Sequence, residues 1–206
     1  MPREEVKLVL DSATALTVCG LVRDGRATTS VSAEGGRAAQ RALALVDDVL
    51  GQSGCERGDL TQIVVGCGPG SFTGLRIGIA TARGLALGLG VPCVGVSTLA
   101  ALAAGAPPGA VALVDARRSE LFALTADGTP VVELPADVAG RLAPGTLCIG
   151  DGARRYRALL EAAGATVPPD GDARHAPSAD ALAALADGLA PEPIYVRRPD
   201  AEPQVA

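Results

Sequence analysis

The fold is predicted most directly by residues 66–78, which read GCGPGSFTGLRIG. The apolar run at 63–65 before this stretch is typical of a buried strand. A Gly-Pro-Gly turn then leads to Ser71, a residue type that favours the N-cap position of a helix. Small residues recur at every fourth position beyond it and share one helix face: Gly74, Gly78, Ala82 and Ala86. We expect a strand, a turn and a helix with a nearly side-chain-free stripe, which lets another backbone approach closely.

The glycine spacing argues against a phosphate-binding loop. A Walker loop has four residues between its glycines, followed by Lys and Ser or Thr. Here Gly68 and Gly74 enclose five residues, and Leu75 and Arg76 follow. The dinucleotide fingerprint does not fit either, because its glycines have a different spacing. The backbone amides at this helix start can still hold an anion, with close helix packing as the alternative interpretation.

The composition predicts an aliphatic core. A chain of 206 residues is long enough to bury a substantial core. Aromatic residues make up 2% of the chain and Trp is absent, so Val, Leu, Ile and Ala must fill that core. The formal net charge of −5 argues against a free-standing nucleic-acid binder, since phosphate contacts require a basic surface.

Cysteine usage and charge distribution predict a cytoplasmic protein. The five cysteines are scattered without a Cys-x-x-Cys pair, which is typical of reduced thiols. The charged residues before Val6 do not read as a signal peptide. Residues 84–114 carry no charge, but Pro92 and several glycines interrupt them. We therefore expect helices and strands there rather than a membrane span.

The order of patterns predicts an α/β protein. In the first half we expect strands at 6–10, 16–22, 27–32, 63–65 and 93–96. We expect helices at about 37–50 and 98–104, and between them the glycine-striped helix that follows Ser71 and ends in the charge-free stretch after Gly84. After Pro107 the pattern restarts, with strands at 110–114, 121–125, 130–134 and 146–149 and helices at 153–163 and 179–189. This restart predicts two related lobes, residues 1–105 and 106–206, each a mixed sheet with flanking helices.

Each half places an aspartate at the end of its first strand. These residues are Asp11, followed by Ser12, and Asp115. In the actin/Hsp70/sugar-kinase (ASKHA) architecture, acidic residues at these positions face a cleft that holds nucleotide and Mg²⁺. The alternative interpretation is that each aspartate only caps a turn after its strand.

These motifs resemble those of the TsaB (YeaZ) family, partner subunits in bacterial tRNA threonylcarbamoyladenosine synthesis. The resemblance covers residues 6–199 and rests on five segments: 11–14, 68–78, 114–120, 150–153 and 193–197. Two departures stand out. Residues 34–37 read EGGR where the family commonly has a His-Ser/Glu segment, and Ser12 stands where Thr is usual.

The resemblance implies the ASKHA fold and a role as a scaffold or activator. Such a subunit forms a heterodimer with a TsaD-like ligase for threonylcarbamoylation of N6 of adenosine 37 in tRNAs that read ANN codons. The further implied partners are a TsaE-like ATPase, tRNA only through the complex, and a second copy of the chain when it is alone. The resemblance implies that the chain has no cofactor of its own, that ATP and Mg²⁺ bind at a boundary of the complex, and that no membrane is involved.

The residue inventory argues against catalysis by this chain. The TsaD-type relative holds a metal through paired histidines, but this chain has His175 alone, in a Pro-, Asp- and Gly-rich loop where we expect it to be solvated. Ser71 does not lie in a Gly-x-Ser-x-Gly motif. We therefore expect no catalytic residue and no metal site. The alternatives are an independent ATPase or kinase that uses the cleft between Asp11 and Asp115, and more remotely a glycoprotease-like peptidase.

Two sites follow from the motifs and the resemblance. The first is a flat two-helix partner surface, expected to form a four-helix contact with a related subunit, on Gly74, Gly78, Ala82, Leu75, Ile79, Leu43 and Val46. The second is a nucleotide cleft on Asp11, Ser12, Asp115, Gly150 and Asp151.

Overall fold

The computed structural model describes residues 4–34 and 38–196. The first half of the chain forms β1 (Val6–Asp11), β2 (Leu16–Arg23), β3 (Arg26–Glu34), α1 (Ala42–Ser53), β4 (Gln62–Gly66), α2 (Phe72–Leu89), β5 (Cys93–Val96) and α3 (Thr98–Ala104). The five strands make one sheet in the order β3-β2-β1-β4-β5. β1 pairs antiparallel with β2 and parallel with β4, and β5 extends the parallel part.

Both faces of this sheet are covered. Because side chains alternate along a strand, Leu8 and Leu10 of β1 face one side and Val9 faces the other. Leu8 and Leu10 pack with α1 and α2. Val9 packs with Leu182 of a later helix, α7 (Ala179–Ala184). This two-sided burial explains why the parallel strands read as continuous apolar runs.

The second half of the chain forms smaller sheets. Its elements are β6 (Val111–Ala112), β7 (Val114–Arg117), β8 (Glu120–Leu124), β9 (Pro130–Glu133), α4 (Pro135–Gly140), β10 (Cys148–Ile149), α5 (Asp151–Arg155), α6 (Arg157–Ala162) and α7. β7, β8 and β9 form an antiparallel sheet, and β10 pairs in parallel with β6. Their core is aliphatic, with Leu113, Leu121 and Leu160 fully buried.

The predicted strands and helices occur in the predicted order, but α4 was not predicted and several bounds differ. The strand predicted at 110–114 is divided into β6 and β7, which belong to different sheets. The first helix begins at Ala42 after a 3₁₀ turn, and its predicted start at residue 37 lies outside the described residues. The helix predicted at 153–163 is divided into α5 and α6 at Tyr156. α7 ends at Ala184, five residues before the predicted end at 189.

The end of the described chain returns to the first lobe. α7 packs on the five-stranded sheet against β1, β2 and β4. The following segment continues across that lobe, where Gly95 N donates to Leu189 O at 2.7 Å and Ile194 N donates to Cys67 O at 2.8 Å. The predicted division at residue 105 separates the two groups of sheets, but it is wrong for residues 179–194, whose contacts lie with the first lobe.

The charge-free stretch 84–114 is divided among the end of α2, β5, α3 and β6. Across residues 4–34 and 38–196, no helix combines the length and the apolar character that crossing a membrane requires.

Candidate functional site

Asp11, at the end of β1, is held by groups of the first lobe. Its Oδ2 accepts a hydrogen bond from Thr98 Oγ1 at 2.5 Å, and its Oδ1 accepts one from Ala13 N at 2.9 Å. Thr98 Oγ1 in turn accepts from Gly68 N at 3.0 Å. The Asp11 side chain is fully buried, and burial raises its pKa to about 6. A Cβ at Gly66 would collide with the Asp11 carboxylate, which explains the glycine at the end of β4.

Asp151 connects the two lobes. Its Oδ2 accepts from Ala15 N at 2.8 Å in the first lobe, and its Oδ1 accepts from Asp115 N at 3.0 Å in the second. Burial raises the pKa of Asp151, and the nearby charge of Asp115 acts in the same direction. The carboxylate therefore bridges two backbone segments that are distant in sequence.

Asp115 is surrounded by donors from its own lobe. Its Oδ1 accepts from Arg117 N at 2.9 Å. Its Oδ2 lies 3.2 Å from Arg117 Nη1 and 3.5 Å from Arg155 Nη1. The open part of the junction is a polar cleft of about 300 Å³, lined by Ala15, Asp115, Arg117, Asp151, Arg154, Arg155 and Asp170.

Gly150 and His175 hold the start of α5. Gly150 has φ 99° and a Cβ there would collide with Leu113 O, so the position requires glycine. Gly150 N donates to His175 Nδ1 at 3.2 Å, and His175 Nε2 lies 3.0 Å from Pro168 O. Nδ1 also lies 3.1 Å from Gly150 O, so both ring nitrogens contact backbone atoms. The prediction of a solvated His175 is wrong, because this ring is fully buried.

The structure brings part of the predicted nucleotide cleft together. Asp115 and Asp151 line the open cleft, with Gly150 beside them, whereas Asp11 and Ser12 are buried behind it. Sequence reasoning missed Thr98, the hydrogen-bond donor to Asp11. A signal was present, because Ser97-Thr98 follows a strand parallel to β1, and the carboxyl ends of parallel strands meet at one sheet edge.

The described residues offer neither a metal-binding cluster nor, at Cys67 and Cys148, a reactive thiol. Among the described residues, no group of three or more His, Cys, Asp or Glu side chains is arranged to hold a metal ion. All five cysteines are free thiols, and burial raises the pKa of Cys67 and of Cys148 to about 11. These two thiols are therefore protonated at neutral pH and do not act as nucleophiles.

The glycine stripe of α2 contacts the chain's own backbone. Ser71 caps the helix as predicted, accepting from Gly74 N at 3.2 Å. Ser12 Oγ donates to Gly74 O at 2.8 Å. A Cβ at Gly74 would collide with Ser12 O, and one at Gly78 would collide with Ser12 Oγ. The backbone that approaches these glycines belongs to the loop after β1.

The predicted flat partner surface is therefore wrong for most of its residues. Six of them are buried inside the first lobe: Gly74, Leu75, Gly78, Ile79, Ala82 and Val46. The reason is that α2 turns this stripe toward the sheet and the loop after β1. Leu43 alone of the predicted set lies outside, with 56% of its surface exposed.

The outer face of α1 and α2 carries a second set of small and apolar residues. On α2, Ala80, Gly84, Leu87 and Gly88 are exposed, and on α1, Leu43 and Ala44. Leu87 has 86% of its surface exposed, and Cβ atoms placed at Gly84 and Gly88 would meet open space. Sequence reasoning missed this stripe, although Ala80, Gly84 and Gly88 have the same four-residue spacing as the inner one. We call these six residues the outer face.

An aromatic cluster lies at the N-terminal end of α2. Phe72 and Tyr195 have ring centroids 5.8 Å apart, and the Arg76 guanidinium lies 3.8 Å from the Phe72 centroid. Arg76 Nε donates to Tyr195 Oη at 3.2 Å. The cluster thus connects the returning end of the chain to α2.

Comparison with known proteins agrees with this architecture. The family described as "TsaD: tRNA N6-adenosine threonylcarbamoyltransferase" matches residues 35–137. An uncharacterized protein of Mycobacterium tuberculosis is 35% identical over 216 residues, covering 98% of each chain. The tRNA threonylcarbamoyladenosine biosynthesis protein TsaB of Escherichia coli is 42% identical over 120 residues, covering 56% of this chain and 52% of that protein.

A solved structure of the same family resembles this fold over nearly the whole chain. YeaZ from Pseudomonas aeruginosa superposes with a TM-score of 0.71 at 30% identity, covering 93% of this chain and 99% of that one. The ethanolamine utilization protein EutJ from Carboxydothermus hydrogenoformans has a TM-score of 0.51 at 13% identity, which shows a shared fold alone. The predicted α/β fold of two ASKHA-type lobes is confirmed. The chain belongs to the TsaB/YeaZ family.

Proposed function

We propose that this chain is a non-catalytic partner subunit in tRNA threonylcarbamoyladenosine synthesis, which activates a TsaD-like transferase by forming a heterodimer with it. The observation that carries the proposal is the outer face of α1 and α2, which exposes apolar and small residues on a protein whose other apolar residues are mostly buried. Exposed apolar patches of this kind mark protein contacts.

The outer face suits helix pairing. Gly84 and Gly88 have no side chain, so a partner helix can approach the α2 backbone closely, and Leu87 projects beside them. α1 packs alongside α2 and adds Leu43 and Ala44. Two helices from each subunit would make a four-helix contact. We propose that the same face pairs with a second copy when the chain is alone.

The lobe junction supports a scaffold more than a catalyst. The carboxylates of Asp11, Asp115 and Asp151 all accept hydrogen bonds from the chain's own groups. A Mg²⁺ ion bound to any of them would have to share the carboxylate with these donors. His175 has both ring nitrogens in hydrogen-bond contact with backbone atoms, so it does not serve as the base of a peptidase.

The proposal also specifies the modified nucleoside, the nucleotide site, the further partners and the compartment. The modified position is N6 of adenosine 37 in tRNAs that read ANN codons, and the chemistry belongs to the TsaD-like subunit. ATP and Mg²⁺ bind at a boundary of the complex, a TsaE-like ATPase completes the assembly, and tRNA reaches this acidic chain only through the complex. All of these steps take place in the cytoplasm.

Reconstitution tests the proposal. The chain and the TsaD-like subunit are purified separately, mixed, and assayed for tRNA modification together with a TsaE-like ATPase. We expect a stable heterodimer and modification that depends on this chain. The chain alone should turn over little ATP with Mg²⁺. Vigorous ATP hydrolysis by the isolated chain, without any effect on tRNA modification, would favour the independent ATPase instead.

A further inference from the structure

The aromatic cluster of Phe72, Arg76 and Tyr195 is exposed in a chain that has few rings. The sequence contains two Phe and two Tyr, and half of these aromatic residues lie in this cluster. Phe72 has 53% of its surface exposed and Tyr195 has 46%. Aromatic side chains placed outside an aliphatic core, next to an arginine, have the composition of an interface hot spot.

The two rings hold the Arg76 side chain in one orientation. Its guanidinium lies 3.8 Å from the Phe72 centroid, a cation–π distance. Its Nε donates to Tyr195 Oη at 3.2 Å. Nε is used in this way, and within residues 4–34 and 38–196 the two terminal Nη groups remain as donors. Over residues 4–34 and 38–196, Arg76 forms no ion pair with a carboxylate.

A pre-oriented guanidinium with both Nη groups available matches a planar carboxylate. An arginine fork can donate two parallel hydrogen bonds to one carboxylate, and less side-chain entropy is lost when its orientation is already fixed. The electrostatic setting is favourable, because α2 carries Arg76 and Arg83 and no acidic residue.

The ligand is better explained as a protein carboxylate than as an RNA phosphate. Unpaired bases bind by stacking on open ring faces, but one face of Phe72 is covered by Arg76. RNA binding also requires several cations along the phosphate backbone, and α2 offers two arginines on a chain of net charge −5. Phe72 and Arg76 instead lie on the exposed side of the helix that carries the outer face.

We propose that Arg76, held by Phe72 and Tyr195, binds an Asp or Glu carboxylate of the TsaD-like partner at the N-terminal end of the α2 contact. This inference rests on the proposed heterodimer and names an anchor within it. Phe72 and Tyr195 add apolar area around the ion pair, which shields it from water and strengthens it.

The test measures the affinity of the full-length chain for the TsaD-like subunit at two salt concentrations. Arg76→Ala should weaken binding by about 10- to 100-fold, since charge-assisted hydrogen bonds are lost. Arg76→Lys should restore part of the loss, and Tyr195→Phe should weaken binding by a few-fold through loss of orientation. Raising the salt concentration should reduce the difference in affinity between wild type and Arg76→Ala, because salt screens the ion pair.

Arg26→Ala is the matched control, because it removes the same charge from an exposed position on β3, at the opposite edge of the sheet. It should leave affinity unchanged. All variants should keep the wild-type melting temperature within about 2 °C, since surface substitutions change stability little.

The outcomes separate the inference from the proposed function. If the wild-type chain does not bind the TsaD-like subunit, both are overturned. If wild type binds and Arg76→Ala binds equally well, the inference alone is overturned. If Arg76→Ala leaves the heterodimer intact but weakens binding of tRNA to the complex, the anion is a phosphate and the proposal is also wrong.

Discussion

At the residue scale, glycines on one helix have two different roles. Gly74 lies against the backbone of Ser12, while Gly84 faces open space on the same helix. The first glycine is required by the interior of the lobe. The second lies on the surface and has no steric requirement within the described chain.

Alanine substitutions should separate these roles. Gly74→Ala should lower the free energy of unfolding by about 1–3 kcal/mol, because its Cβ would collide with the Ser12 carbonyl. Gly84→Ala should leave it unchanged or raise it by up to about 1 kcal/mol, since alanine favours the helix. Urea unfolding of both variants measures the difference. Equal stabilities would mean that the loop after β1 does not pack on α2.

The buried carboxyl of Asp11 predicts a pH dependence of stability. Its pKa is raised from 3.8 to about 6, so the folded protein retains this proton over a range in which the unfolded chain releases it. Stability from this group is therefore present at low pH and decreases as the pH rises from about 4 to 6, by roughly 2–3 kcal/mol.

Asp11→Asn removes this titration and keeps the side chain's shape. The stability of wild type relative to Asp11→Asn should therefore decrease across that pH interval and stay constant above about pH 7. Unfolding measured in urea at several pH values follows this difference, and the other acidic groups cancel in the comparison. A difference that does not vary with pH would mean that Asp11 is ionised in both states or protonated in both.

At this scale, the sequence predicted a local contact, the Ser71 cap, but it did not predict the long-range contacts that bury His175. The Ser71 cap was predictable because a cap depends on the three residues that follow it. The burial of His175 was not predictable, because the partners that enclose it, Gly150 and Pro168, come together only in the folded chain.

At the element scale, α2 shows why periodicity alone could not identify its exposed face. A four-residue repeat tells which residues share a face, but not which face turns inward. Two stripes of small residues run along α2, one through Gly74 and Gly78 and the other through Gly84 and Gly88. Their spacing is identical, so only the position of the loop after β1 distinguishes them.

The outer face gives the element-scale prediction. Leu87→Glu should weaken association with the TsaD-like subunit by at least about 10-fold, because it places a charge in an apolar contact. The fold should be unaffected, since 86% of the Leu87 surface is exposed. Leu134→Glu is the control, an equally drastic change at an exposed leucine of the second half of the chain. Analytical ultracentrifugation measures the affinity of each variant for the TsaD-like subunit. If Leu87→Glu and Leu134→Glu bind equally well, the interface does not lie on α2.

At the scale of the whole molecule, the sequence pattern predicted most of the elements in order, although not α4, and it did not predict the lobe to which each belongs. α7 reads as an ordinary short helix after the second lobe, yet its alanines and Leu182 cover the first-lobe sheet. The lobe junction was also only partly predictable. Asp11 and Asp115 were found because each follows an apolar run in the sequence, although Asp115 lies inside β7. The bridging role of Asp151 depends on backbone groups of both lobes.

Asp151 provides the prediction at this scale. Asp151→Ala leaves the N–H groups of Ala15 and Asp115 without their acceptor, so hydrogen exchange at both amides should accelerate, and unfolding should become easier by about 1–3 kcal/mol. Asp170 lines the same cleft from an exposed position, and Asp170→Ala is the control. It should leave hydrogen exchange at both amides unchanged. Unchanged exchange in Asp151→Ala would mean that water replaces the carboxylate without loss.

The return of α7 to the first lobe has a consequence for synthesis on the ribosome. Val9 and Val64 lie on strands that are made early, but the helix that covers them begins at residue 179. One face of the first sheet therefore remains uncovered while the whole second lobe is being translated. We expect the first lobe to emerge first and to complete its core last, with an apolar surface available to chaperones throughout that interval.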